Sequence, residues 1–159
     1  MKKISLLIAL LSISFFSNSK DQPNFVIIYV DDMGYADIGE FQDEKINTPN
    51  LDLMAANGQT WTNFYASSSV CTPSRAGLLT GILPVRNGLY GDQIAVFFPG
   101  SKTGIPKNQL TLAEVFQTNG YSTGIFGKWH LGDAKEFLPT RHGFDAVSYT
   151  HLTLPTILL

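Results

Sequence analysis

Phe25-Val26-Ile27-Ile28-Tyr29-Val30, followed directly by Asp31-Asp32-Met33-Gly34, is the stretch on which the fold turns. It is an unbroken run of β-branched, aromatic and aliphatic residues, bounded by Pro23 before and Gly34 after. A short run apolar on both faces suits a strand buried in a parallel sheet, whereas a half-exposed strand would alternate. The period then changes. Thr48-Pro49-Asn50 opens a helix that Asn57-Gly58 closes, with Leu51, Leu53, Met54 and Ala55 as candidate core contacts. Trp61 to Ala66 reads as a second strand. Residues 86–108 carry many Gly and Pro and read as a long surface loop. Leu110 to Thr118 reads as a helix with Leu112, Val115 and Phe116 inward, ended by Asn119-Gly120, and Tyr121 to Phe126 as a third strand. Strands alternating with helices predict an α/β fold with a mainly parallel sheet. Ligands of such sheets sit beyond the carboxyl ends of the strands. Asp31, Asp32, Lys128 and His130 all fall there, and Cys71 follows the second strand.

Outward from this frame, the start of the chain has the order of an export signal. Lys2 and Lys3 precede an apolar run from Ile4 to Phe16, and the small or polar Ser17, Asn18 and Ser19 follow. The run is short of the roughly 20 residues that a membrane span needs. Residues 1–19 are therefore read as a signal peptide, with a periplasmic or secreted destination and no stable membrane anchor. Taking away Lys2 and Lys3 moves the formal charge from −2 to −4. With an acidic balance and no basic block, nucleic acid is not an expected partner. The length of 159 residues suits one domain, and no internal repeat is visible.

The chemistry concentrates in three places. Cys71 is the only cysteine, so no intramolecular disulfide can form, and a lone thiol in an exported chain asks for a reason. Ser67, Ser68 and Ser69 make its approach loop-like. Pro73 suits a first helical turn, and Leu78, Leu79 and the Gly81 stop suit a short helix. Cys71 is thus expected at a loop-to-helix junction, where backbone donors and the positive dipole end favour an anion. Arg75, one turn on, can point to the same mouth. Taken alone, a free cysteine equally suits a small buried hydrophobe. Asp31 and Asp32 repel each other unless a cation lies between them, and carboxylate oxygens favour calcium or magnesium; alone, the pair also suits a solvated turn. Lys128 and His130 share a side if their segment is extended. There an ammonium can hold an anionic oxygen and an imidazole can move a proton; a surface lysine and a satisfied histidine are the plainer alternative. Trp129 is expected in the core, and Arg141 and His142 at the surface or a substrate rim.

Cys71-Thr72-Pro73-Ser74-Arg75, continued by Ala76-Gly77-Leu78-Leu79-Thr80-Gly81, resembles the signature of type I sulfatases. Further landmarks stand in the order of the arylsulfatase A-like group: Pro23-Asn24, Asp31-Asp32-Met33-Gly34-Tyr35, Thr48-Pro49-Asn50-Leu51-Asp52, Leu83-Pro84-Val85-Arg86 and Gly127-Lys128-Trp129-His130-Leu131-Gly132. The resemblance runs from Pro23 to about Ala146. It implies the N-terminal part of an alkaline-phosphatase-like α/β sandwich with a mainly parallel central sheet. It also implies export and Ca²⁺, with Mg²⁺ as a possible substitute.

In that family a maturation enzyme oxidises the cysteine to formylglycine, whose hydrated aldehyde attacks sulfur. A second hydroxyl then lets the carbonyl re-form and expel sulfate. The resemblance implies Asp31, Asp32 and the modified Cys71 on the metal. Arg75 steadies the nucleophile, Lys128 holds the sulfate and His130 bonds the hydrated aldehyde. The implied partners are a sulfated small molecule or sulfated glycan and a formylglycine-generating enzyme. Two other readings stay open: a phosphonate or phosphodiester hydrolase of the same superfamily, and an inactive cation- or anion-binding module with an unmodified Cys71. Residues 20–147 are expected to be the N-terminal part of the catalytic domain. Residues 148–159 depart from the family and read as a truncated or non-native tail. The remaining metal ligands, a second histidine and a second lysine are expected downstream, so the 159-residue chain is expected to be inactive by itself.

Overall fold

The computed structural model describes residues 22–39, 46–91 and 96–148. The expected signal peptide and the stretch after Ser148 lie outside these residues. The chain divides into two units, 1–34 and 35–159.

In the first unit the Phe25–Val30 run is not a strand. Its side chains are exposed, from Tyr29 at 37% to Val26 at 84%. This corrects the expected buried strand. An apolar run becomes a strand only when partners take up its backbone and layers cover both faces. Among the described residues the one sheet pairs two other segments.

In the second unit, α1 spans Pro49–Asn57, as Thr48-Pro49 and Asn57-Gly58 predict. It buries none of its residues, and Leu53 and Met54 are exposed, so the expected core contacts are not made. The expected strand at 61–66 is also absent. A turn at Thr62–Asn63 and the edge-on packing of Trp61 against Phe64, at 5.9 Å, hold the chain in another shape. Helix α2, Cys71–Thr80, ends at Gly81, whose φ of 66° and N–H bond to the Gly77 carbonyl make it the predicted stop. The short α3, Pro84–Asn87, follows. Helix α4, Leu112–Thr118, opens on a reciprocal cap. Thr111 accepts from the Glu114 N–H at 3.2 Å, and Glu114 accepts from the Thr111 N–H at 2.7 Å. Its buried residue is Ala113, while Val115 is exposed, so the inward face is rotated from the expected one.

The sheet pairs β1, Gly124–Phe126, with β2, Ala146–Ser148, in parallel, with Ile125 opposite Val147. The third predicted strand therefore starts late. Asp145 occupies the backbone just before it: its carboxylate accepts from the Thr123 N–H at 2.8 Å and the Thr123 hydroxyl at 3.0 Å. A single-turn helix, Pro139–Arg141, precedes β2.

The core joins Ala76 of α2 to Leu89, Phe97, Ile105, Trp129 and Leu131, with Leu79, Ile125 and Phe144 packed against it. Three of these residues come from the stretch expected to be a surface loop. Glycine and proline make that stretch irregular, but its apolar side chains still anchor it inward.

Candidate active site around Cys71

Cys71 is the first residue of α2 and is half-buried. The preceding Val70 is extended and gives no side-chain cap, so the positive end of the helix is not covered by a side-chain acceptor. The next residues, Thr72, Pro73, Ser74 and Ala76, are buried. They pin the first turn and leave Cys71 at the margin.

Lys128 is the hub. Gly127 closes β1 by donating its N–H to the Ser148 carbonyl at 2.8 Å, and Lys128 comes next. The Lys128 ammonium donates to Cys71 Sγ at 3.3 Å. The Lys128 carbonyl accepts from Arg75 Nη1 at 2.6 Å. Arg75 thus acts through Lys128's backbone: the guanidinium one turn along α2 holds the segment whose ammonium reaches Cys71. Trp129 faces the other way, 2% exposed, and donates its indole N–H to the Phe137 carbonyl at 2.9 Å. Leu131 is fully buried, and its carbonyl accepts from the Ile105 N–H at 2.8 Å. Two buried apolar anchors therefore bracket His130.

The segment is not extended throughout, because His130 has φ of 59°. Among the described residues the non-glycine positions with positive φ are Asp32 (58°) and His130 (59°), both of them candidate site residues. Such conformations cost energy and persist where surrounding contacts hold them. At His130 those contacts are visible. The ring Nε2 lies 2.7 Å from the Phe97 carbonyl. A carbonyl only accepts, so Nε2 carries a proton, and in the neutral ring Nδ1 carries the lone pair. Nδ1 is buried and has no partner. The His130 carbonyl accepts from Thr72 Oγ1 at 2.9 Å, and Thr72 Oγ1 accepts from the Phe97 N–H at 3.1 Å.

The structure therefore brings Cys71, Arg75, Lys128 and His130 together within one unit. Asp31 and Asp32 belong to the other unit. Among the described residues no group of three or more His, Cys, Asp or Glu is gathered as a metal centre. The two carboxylates fit part of a calcium or magnesium ligand set, since calcium takes about 6–8 oxygen ligands. His142, expected at a rim, is 1% exposed and lies behind Trp129 with ring centroids 6.0 Å apart; Arg141 is exposed. Thr72 and Phe97 were not singled out by sequence reasoning. Thr72 stood in the motif only as a spacer. Phe97 acts through its backbone, which no side-chain pattern reports.

The sulfatase family model matches residues 23–156, and the chain belongs to the sulfatase family. Within it the chain is of the type I, arylsulfatase A-like kind. It is 51% identical to arylsulfatase A from Bos taurus over 134 residues, covering 81% of this chain and 26% of that protein. It is 43% identical to N-acetylgalactosamine-6-sulfatase from Homo sapiens over 133 residues, covering 81% of this chain and 26% of that protein. The structure of the PsFucS1 sulfatase from Pseudoalteromonas sp. superposes with a TM-score of 0.65 at 35% identity, over 80% of this chain and 25% of that one. The fold is thus the N-terminal part of an alkaline-phosphatase-like α/β architecture, and the chain spans about a quarter of the length of the relatives it matches.

Proposed function

We propose that Cys71, Arg75, Lys128 and His130 are the nucleophile end of a sulfate-ester hydrolase in which Cys71 is oxidised to formylglycine after translation. The substrate is a sulfated small molecule or sulfated glycan, in keeping with relatives named arylsulfatase A and N-acetylgalactosamine-6-sulfatase. Residues 1–19 direct the protein to the periplasm or outside the cell, and Asp31 and Asp32 would hold a divalent cation, calcium or magnesium. The observation that carries the reading is the Lys128 ammonium on Cys71 Sγ at 3.3 Å, at the start of α2.

The residues suit an oxidised Cys71. A hydrated aldehyde offers one hydroxyl for attack on sulfur, which breaks the sulfur–oxygen bond to the departing alcohol, and a second whose deprotonation lets the carbonyl re-form and expel sulfate, a route closed to an ordinary serine or cysteine. His130 Nδ1, buried and without a partner, is a free proton acceptor in the neutral ring. Lys128 supplies a fixed positive charge beside the reacting position, where developing negative charge is stabilised without reorganisation. Arg75 sets the height of Lys128 by holding its carbonyl. A divalent cation, when bound, would supply Lewis-acid polarisation of a sulfate oxygen. Asp31 and Asp32 contribute the hard oxygen donors such an ion prefers.

The test is peptide mass spectrometry of the Cys71 peptide after co-expression with a formylglycine-generating enzyme. The expected result is loss of the thiol and gain of an aldehyde. An unmodified thiol, under conditions that mature a control substrate, overturns the proposal. A sulfate-against-phosphonate assay on the whole protein then separates sulfatase from phosphonate hydrolase.

A further inference from the structure

We infer that Thr72 is a positioning residue whose hydroxyl fixes both the backbone and the ring tautomer of His130. The inference rests on the reading of His130 as a site residue and deepens it.

Thr72 is fully buried one residue after Cys71. Its hydroxyl is used twice: it donates to the His130 carbonyl at 2.9 Å and accepts from the Phe97 N–H at 3.1 Å. Phe97 in turn offers its carbonyl to His130 Nε2 at 2.7 Å. The three residues close a loop of hydrogen bonds. One arm holds the His130 backbone in its left-handed conformation, φ 59°. The other holds the N–H of the residue whose carbonyl takes the imidazole proton. The hydrogen bond at one ring nitrogen decides which state the other adopts. With Nε2–H committed to Phe97, the lone pair is delivered to Nδ1, the buried atom that has no partner. Among residues of this size only serine and threonine carry a hydroxyl that donates and accepts at once. Valine matches threonine in shape but would leave a buried carbonyl and a buried N–H without their bonds, which is costly inside a protein.

The measurement is long-range ring nitrogen–proton correlation NMR on the full chain labelled at histidine nitrogen, with His130→Gln assigning the His130 signal. In the neutral ring of the wild type, Nε2 is expected to be protonated and Nδ1 bare. Thr72→Ser should keep that pattern. Thr72→Val should lose it, giving a mixture of tautomers. Thr111→Val is the control for general loosening, since Thr111 is equally buried and its hydroxyl donates to the His142 carbonyl at 2.8 Å; it should leave His130 unchanged. The inference is overturned if Thr72→Val retains the wild-type pattern. It is equally overturned if Thr111→Val disturbs the ring as much, or if Thr72→Ser loses the pattern. The serine arm stands even where the valine variant does not fold. The ring signal reads the positioning alone, and aldehyde formation at Cys71 reads the proposed function alone, so each can fail without the other.

Discussion

His142 lies at 1% exposure behind Trp129, with its ring Nε2 buried and without a partner. Burial pushes its pKa below the ordinary 6.5; the Glu114 charge and the Glu136 backbone pull the other way, and Lys107 adds to the lowering. The folded state therefore resists protonating this ring, while the unfolded chain takes up the proton near pH 6.5. Stability is complete above that value. It is lost progressively as pH falls from about 6.5 through the lower folded pKa, because the unfolded state then binds more protons. Asp145, also lowered, through its bonds from Thr123, acts in a separate window below its ordinary 3.8. Urea midpoints measured from above pH 6.5 down to about pH 5 should fall for the wild type and fall less for His142→Gln. Equal slopes for the two proteins would show that another group carries the dependence. The ring stands near the candidate site segment, since Trp129 separates Lys128 from His130, so acid should loosen that segment before it reaches the carboxylates.

At the scale of elements, α2 owes its seat to a glycine. A Cβ at Gly77 would lie 2.1 Å from Ser67 Oγ and 2.9 Å from Ser67 Cβ. Alanine is the better helix former by about 1 kcal/mol. The clash wins, because overpacking a close contact costs about 1–3 kcal/mol. Gly77→Ala should therefore lower the denaturation midpoint and shift the Ser67–Val70 approach to Cys71. Ser67→Gly in the same chain should restore much of the loss. No rescue in the double variant would mean that the approach loop does not set the position of α2.

The contrast between elements also explains what could be read in advance. α1, α2 and α4 were legible because their signals are local: Thr48-Pro49, Pro73, and the Gly58, Gly81 and Gly120 stops act within one turn. The strands at 25–30 and 61–66 were not, because a strand is defined by its neighbours. The set of Cys71, Arg75, Lys128 and His130 was legible as residues. Its wiring was not: Arg75 on the Lys128 carbonyl and His130 on the Phe97 carbonyl are bonds to backbone, which carries no sequence signature.

For the whole molecule, the decisive quantity is uncovered apolar surface. Phe25 at 57%, Val26 at 84%, Ile27 at 55% and Ile28 at 66% exposure stand in one continuous run. The composition of that run is what a sheet interior selects, and this chain spans 26% of the length of bovine arylsulfatase A. Contiguous exposed apolar surface is a template for association. The 159-residue chain should therefore self-associate, with a sedimentation coefficient that rises with concentration and with binding of a hydrophobic dye. Val26 and Ile28 lie two positions apart, so in an extended run they share a face. Val26→Lys with Ile28→Lys should break the apolar stripe and drive the chain toward monomer, while leaving the core around Trp129 intact by near-ultraviolet dichroism. A wild-type chain that sediments as a monomer at every concentration, and a double variant that does not differ from it, would show that the run is covered in solution.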